Sequence, residues 1–413
     1  MRAPASGASR GPLAFIILTV LLDTMGFGLI IPVLPQLVGE LGNVSLDKAA
    51  TIGGTLIMTY ALAQFLFSPV IGGLSDAHGR RPVLLLSMAG FGISMLVAAF
   101  ATSLWMLFVG RTLAGITGAS YSTANAYIAD ITPHERRAQT FGLLGVAFGL
   151  GFIFGPAIGG LLGSLHPRWP FIAAACLAGI NMLCGIFLLP ESLPPERRRA
   201  FDWRRANPIG AIRQLGRLGG SLRHLAATFF IWMFAIQSLH GIWSYVAAYR
   251  YHWTPLGIGL SLTTVGVLAV LINGLLVGRA VRFLGEWRTA LAGMAAGTLG
   301  YAIQIFASTP GLAYLALTVG AFGGLTVPAL QAMMTSRAAS DQQGELQGAL
   351  ATLSSITVMA GPLIFSRIFA HFSGADAGVH APGAPFVLSA GLAGIALALL
   401  ALAGNPRSPE LRA

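Results

Sequence analysis

Apolar stretches long enough to cross a lipid bilayer recur along the whole chain, at roughly 12–35, 52–74, 83–101, 105–128, 139–163, 170–189, 225–248, 257–278, 289–308, 311–335, 346–369 and 385–404. A spanning helix needs about 20 mainly apolar residues, so the pattern predicts twelve crossings. Composition closes off the other classes. Only 9% of the 413 residues are charged, against about 25% in soluble domains. A soluble enzyme, a disordered chain and a disulfide scaffold are excluded. The expected fold class is an all-α membrane protein, its twelve transmembrane helices arranged as two pseudo-symmetric six-helix bundles. Arg2 and Arg10 before an apolar run resemble the start of a signal peptide. That run continues to Leu34 without a convincing cleavage site, so it reads as the first helix of the mature protein.

The net charge of +11 is a matter of placement. With the N-terminus in the cytoplasm, 20 of the 25 basic residues fall on the cytoplasmic side, eight of them between Arg197 and Arg223. Lys48, Arg168 and Arg250 face outward, while Arg111 and Arg367 lie inside spans. This is the positive-inside distribution with both termini cytoplasmic. The basic excess is a topology signal and predicts no nucleic-acid partner. Cys176 and Cys184 are eight positions apart in one span. That separation is too great for a mutual disulfide on a helix, and they read as packing residues. Trp105, Trp169, Trp243, Trp253, Tyr249 and Tyr251 read as an aromatic belt near the outer ends.

An internal repeat organises the chain. Gly72, Gly79, Gly118, Gly142 and Gly155-Pro156 reappear as Gly278, Gly285, Gly324, Gly348 and Gly361-Pro362, each displaced by 206 residues. The expected division is an N-terminal bundle over 1–189, a basic cytoplasmic linker over 190–224 and a C-terminal bundle over 225–413. Ile209, Ile212, Leu215 and Leu218 recur at helical spacing in the linker and predict a short helix on the inner leaflet. Two parallel six-helix repeats are the architecture of transporters that alternate access to a site between the halves.

Few residues are left to carry chemistry. Asp23 is the one acid well inside an apolar run, where an ionised carboxylate costs about 2.5–3.5 kcal/mol on insertion scales. It therefore faces an interior or a wet cavity, either able to exchange protons or held as a structural acid by backbone donors where the helix is broken. The breaking residues Gly26, Gly28 and Pro32 follow it. Arg111 is the one deep base, able to tune a neighbouring carboxylate or to snorkel to an interface. Gly72-Gly73-Leu74-Ser75-Asp76-Ala77-His78-Gly79-Arg80-Arg81-Pro82 predicts a tight cytoplasmic turn with Asp76 and Arg80 bonding across it. Gly151, Gly155 and Gly159, with Pro156 and Gly160, form a small-residue groove for close backbone approach. The amides Gln64, Asn125, Gln237, Asn273, Gln304 and Gln331 are candidates to line a cavity or to bond between helices, and His240 is expected to be satisfied locally. No metal-ligand spacing, P-loop, HExxH or nucleophile elbow occurs, so neither an enzyme nor a cofactor is expected. Protons are the simplest coupling ion.

These residues resemble a family. Gly72–Pro82 looks like the signature between helices two and three of the major facilitator superfamily. Leu22–Pro35 resembles the first helix of its drug:proton antiporters, especially the tetracycline exporters, and Arg111-Thr112-Leu113-Ala114-Gly115 the fourth-helix motif. Gly142, Gly151, Gly155-Pro156 and Gly159-Gly160 are similar to the fifth-helix antiporter motif. Pro328–Gln331 and Gly344–Gly348 resemble the second half of that family.

The resemblance implies Asp23 as the protonatable or substrate-linked carboxylate and Arg111 as its coupling partner. It implies Asp76, Arg80 and Arg81 as a gating cluster and the fifth-helix glycines as a sliding face. Ala77 stands where a basic residue is usual. Counted without gaps, Ser94, Gly297 and Ala269 occupy positions where the best-studied tetracycline exporters carry two carboxylates and a His. The expectation is an inner-membrane, monomeric proton antiporter exporting a small amphipathic drug, with tetracycline as a lead. A proton-driven nutrient importer and a non-transporting scaffold are the alternatives.

Overall fold

The computed structural model describes residues 10–118, 120–202, 220–339, 342–375 and 377–404. Among them every regular element is helical. The first crossing is α1 (Arg10–Ile30), followed by a short helix α2 (Leu34–Gly42). Next come α3 (Leu46–His78) and α4 (Arg80–Ala99). The fourth crossing is broken into α5 (Leu104–Thr117) and α6 (Ser120–Ile131), and α7 (Arg137–Leu165) and α8 (Trp169–Leu188) follow.

After the linker, α9 (Gly220–Tyr251) leads to α10 (Pro255–Leu271), which continues through a π-helical segment Ile272–Leu276 into α11 (Val277–Phe306). The tenth crossing is α12 (Pro310–Ala321) joined by the 3₁₀ turn Phe322–Leu325 to α13 (Thr326–Thr335). Last are α14 (Gln343–Ser373) and α15 (Ala384–Leu402). Gly285, with φ 78° and ψ 164°, divides the run 255–306 into the eighth and ninth crossings. Among the described residues the total is the twelve that the apolar pattern predicts.

The helices gather into two compact units, one of 1–43, 59–208 and 254–263, the other of 44–58, 209–253 and 264–413. In the first, α1 packs on α7 and α8, and α4 packs on α5 and α8. Phe15, Ile16, Leu84, Met88, Tyr127 and Leu144 form its core. In the second, α9 packs on α14 and α15, and α11 packs on α12 and α15, around Phe229, Trp232, Met294, Met333 and Leu350. The pairings of the first six crossings thus recur among the last six, so the 206-residue repeat is one of packing as well as sequence.

The repeat extends to backbone detail. Gly79 has φ 108° and ψ 159°, close to its partner Gly285, a region open only to glycine. The breaks at Gly118 and at Gly324 also correspond. At the opposite helix ends, Arg168 Nη1 donates to Ala99 O at 3.3 Å. Arg250 donates to Gln304 O, Ile305 O and Ala307 O at 2.8–3.0 Å. Ala99 and Ile305 are themselves 206 residues apart. These two arginines therefore cap the third and ninth crossings, whose last carbonyls have no partner within the helix.

Some local expectations change. The first helix runs unbroken through Gly26 and Gly28 and stops only at Ile30, beside Pro32, because glycine permits a helix where proline removes a donor. The turn predicted over Gly72–Pro82 is helical on both sides and contracts to Gly79 alone. Trp105 and Trp169 are exposed, as belt residues would be, but Trp243 is buried. Its ring packs on Tyr251 and Trp253, with centroids 6.4 and 6.1 Å away, because the chain reverses at His252 (φ 53°) and folds these aromatics together. The linker helix anticipated around Ile209–Leu218 lies outside the described residues. Cys176 and Cys184 are free.

Candidate functional site

Asp23 sits midway along α1 and Arg111 midway along α5, both half-buried in the first unit. The charges of both act on the hydroxyl of Tyr60 on α3. Phe27, one turn beyond Asp23, packs against the Tyr60 ring with centroids 5.9 Å apart. The Gln64 side chain donates from Nε2 to Tyr60 OH at 3.3 Å and to Gly118 O at 3.0 Å. That carbonyl lies at the interruption of the fourth crossing, where the helical ladder leaves acceptors over. Three helices therefore bring one acid, one base, a phenol, an amide and a broken helix end into a single polar cluster.

The amides divide. Gln237 is buried and its Nε2 donates to Thr357 Oγ1 at 3.4 Å, tying α9 to α14. Asn273 lies in the π-helical segment, exposed, and donates to Ala269 O at 2.8 Å. It also stands near Gly324, at the break of the tenth crossing. Amide and broken helix are thus paired in both units, Gln64 with Gly118 and Asn273 with Gly324. Asn125 and Gln331 are half-buried. His240 Nδ1 is 3.2 Å from Ile236 O on its own helix.

On the turn between α3 and α4, Arg80 pairs with Asp76 and, at 3.2 Å, with Asp130 at the end of α6. It also donates to Ser75 Oγ at 3.1 Å. The Arg80 side chain is 12% exposed. A lone surface pair is worth about 0–1 kcal/mol, but a nearly buried guanidinium held by two carboxylates and a hydroxyl fixes geometry. Arg81 turns away and donates to Ile186 O at 2.6 Å. Asp130 is the member that motif reading misses. Its signal was an acid in the last turn of a helix, opposed by the helix dipole and so in need of a cation. In the second unit Glu286 occupies the place of Arg80 and acts electrostatically on Arg337, one residue past the counterpart of Asp130. The charge pair is inverted in sign.

The glycines of α7 take two directions. Cβ atoms on Gly151 and Gly155 would stand 2.7 Å from Thr24 Cβ and Met25 O, and one on Gly159 would fall onto the Leu29 carbonyl. These three let α7 approach the backbone of α1, on the stretch that carries Asp23. Gly160 instead faces α10, where its Cβ would be 2.6 Å from Pro255 O. Thr263 donates to Ile153 O across the same contact at 3.1 Å. Gly142 and Gly72 face open space.

Ser94 is buried and donates to Phe91 O at 2.7 Å. The space beside Gly297 is filled by the Trp232 ring. Among the described residues no cluster of His, Cys, Asp and Glu forms a metal site.

Comparison with known proteins finds a match to the Major Facilitator Superfamily model over residues 16–362. The tetracycline resistance protein, class C, of Escherichia coli is 43% identical over 362 residues, covering 88% of this chain and 90% of that protein. The class G protein of Vibrio anguillarum is 39% identical, covering 89% and 92%. Among solved structures, an inward-facing bacterial homologue of the human lysosomal transporter Spinster superposes with a TM-score of 0.79 over 97% of this chain and 98% of that one. At 15% identity that likeness concerns the fold alone.

Proposed function

This chain belongs to the Major Facilitator Superfamily, and on that premise we propose that it is a proton-coupled antiporter exporting a small amphipathic drug, with tetracyclines the first candidates. The observation that carries the reading is one acid and one base midway along α1 and α5, beside the Phe27–Tyr60 and Gln64–Gly118 contacts that join those helices to α3, in a chain otherwise sparing of intramembrane charge. The names of relatives that cover most of the chain support the cargo class.

Protonation of Asp23 removes the negative partner from a cluster that also holds Arg111. A cluster with an uncompensated cation favours a different arrangement of its helices, and a proton and a drug that compete for it exchange across the membrane. Each charge moved is worth about 2.3 kcal/mol per 100 mV, so no cofactor is needed. Gln64, Asn125, Gln237, Asn273 and Gln331 are the polar groups proposed to contact the drug, with Gln64 and Asn273 best placed at the two helix breaks.

Asp76, Arg80 and Asp130 are proposed as the gate cluster that stabilises one access state, with Arg81 anchoring the turn. Gly151, Gly155, Gly159 and Gly160 keep α7 in close contact with α1 and α10, so that movement at Asp23 reaches both. Residence in the inner membrane with both termini cytoplasmic is supported by the basic residues that cluster on one side. The transporter is proposed to work as a monomer.

A susceptibility panel in an efflux-deficient host, tetracyclines included, tests the reading. Resistance that a protonophore abolishes supports it. Unchanged susceptibility throughout, together with accumulation of a labelled nutrient, overturns it.

A further inference from the structure

The turn between α3 and α4 creates a capping deficit that its own residues leave open. Its N-cap, Gly79, has no side chain to offer. The N–H groups of Arg80 and Arg81 begin the helix without intrahelical acceptors, and Pro82 has no N–H at all. Both N–H groups are taken by a residue from beyond α8. Arg80 N–H donates to Glu191 Oε1 at 2.8 Å and Arg81 N–H to Glu191 Oε2 at 3.3 Å. The same carboxylate accepts from the backbone of Ser192 and Leu193, both at 3.0 Å, which sets its orientation. Any side chain at position 79 would collide with it.

The segment that follows α8 stays on this turn. Pro190 O accepts from Tyr127 OH at 2.9 Å, and Ser192 Oγ donates to the gate carboxylate Asp130 at 3.2 Å. Arg199 N–H donates to Asp76 O at 3.1 Å, and the Phe201 ring covers Gly73. A connection that only tethered two halves would have no reason to satisfy the turn at so many points.

We propose that residues 189–201 act as a clasp on the gating turn, with Glu191 as the positioning residue that keeps Arg80 in reach of Asp130. The clasp rests on the gate reading of Asp76, Arg80 and Asp130 given above. Glu191 is exposed and outside the apolar core, so its removal frees the turn without opening the bundle.

The test uses full-length protein carrying Cys176→Ser, Cys184→Ser and Ala77→Cys in inverted vesicles. Two rates are measured, proton-driven tetracycline uptake and labelling of the introduced thiol by an impermeant maleimide. Glu191→Ala is expected to raise the labelling rate and lower maximal uptake, each about tenfold, with KM unchanged and partial rescue by Glu191→Asp; losing charge-assisted hydrogen bonds has effects of that size. An unchanged labelling rate overturns the clasp. So does an uptake loss that follows a proportional loss of folded protein and is not rescued by Asp. Asp76→Asn separates the two ideas. If it impairs uptake while Glu191→Ala labels as the parent does, the gate stands and the clasp falls. If it has no effect while Glu191→Ala still labels faster, the clasp stands and the gate reading falls.

Discussion

The indole ring of Trp232 occupies the space beside Gly297, so that a Cβ on that glycine would run into it. The ring also lies against Gly323, at the break in the tenth crossing. Gly297 is the position at which the resemblance to tetracycline exporters calls for a carboxylate. The acid is absent, and the room for it has been given to an aromatic ring in the core of the second unit. Gly297→Asp is therefore expected to fold poorly rather than to restore an acidic subsite. Trp232→Ala is expected to cost about 3–5 kcal/mol through the cavity it leaves. Thermal unfolding of the purified protein in detergent measures both.

Asp23→Asn is expected to abolish proton-driven uptake into inverted vesicles while leaving the amount of inserted protein unchanged. Arg111→Ala should lose coupling in the same way, because the cluster around Tyr60 needs both charges. Wild-type transport by Arg111→Ala would show that its guanidinium only reaches for an interface.

Glycines of one motif should respond very differently to the same added methyl. Gly159→Ala places it on the Leu29 carbonyl and must push α1 and α7 apart, an overpacking cost of about 1–3 kcal/mol. Gly142→Ala meets nothing and should be neutral or stabilising, by up to about 1 kcal/mol from helix propensity. The difference between the two melting temperatures checks the close approach directly.

Arg250→Ala removes three hydrogen bonds at the end of the ninth crossing, leaving Gln304 O and Ile305 O uncovered while Ala307 O keeps the Tyr251 hydroxyl. We expect a loss of about 1.5–3 kcal/mol, the worth of hydrogen bonds to a charged group. Arg250→Lys should recover only part of it, because an ammonium does not match the planar fork of a guanidinium. Chemical denaturation of the three proteins in parallel provides the comparison.

Much of this architecture was legible from residue order, because it rests on local or periodic properties. Apolar length marked the crossings, and the 206-residue offset anticipated paired features down to the positive φ of Gly79 and Gly285. Asp23 and Arg111 stood out because charge inside a span is costly and seldom without purpose. What failed were readings in which a residue type stood in for a partner. Trp243 looked like a belt residue until the reversal at His252 folded it inward.

The sequence by itself thus determined that this is a helical membrane transporter of two repeats, since hydrophobicity and repetition act along the chain. Only the tertiary structure decided the contacts that make it a machine. Gln64 on α3 reaches the Gly118 carbonyl across 54 residues, Asp130 meets Arg80 across 50, and Glu191 caps a helix that begins 111 residues earlier. The physical reason is that a buried charge or an open helix end demands a partner but does not say from where. Any acid or acceptor that packing brings within about 3 Å will serve, and only the folded chain selects it.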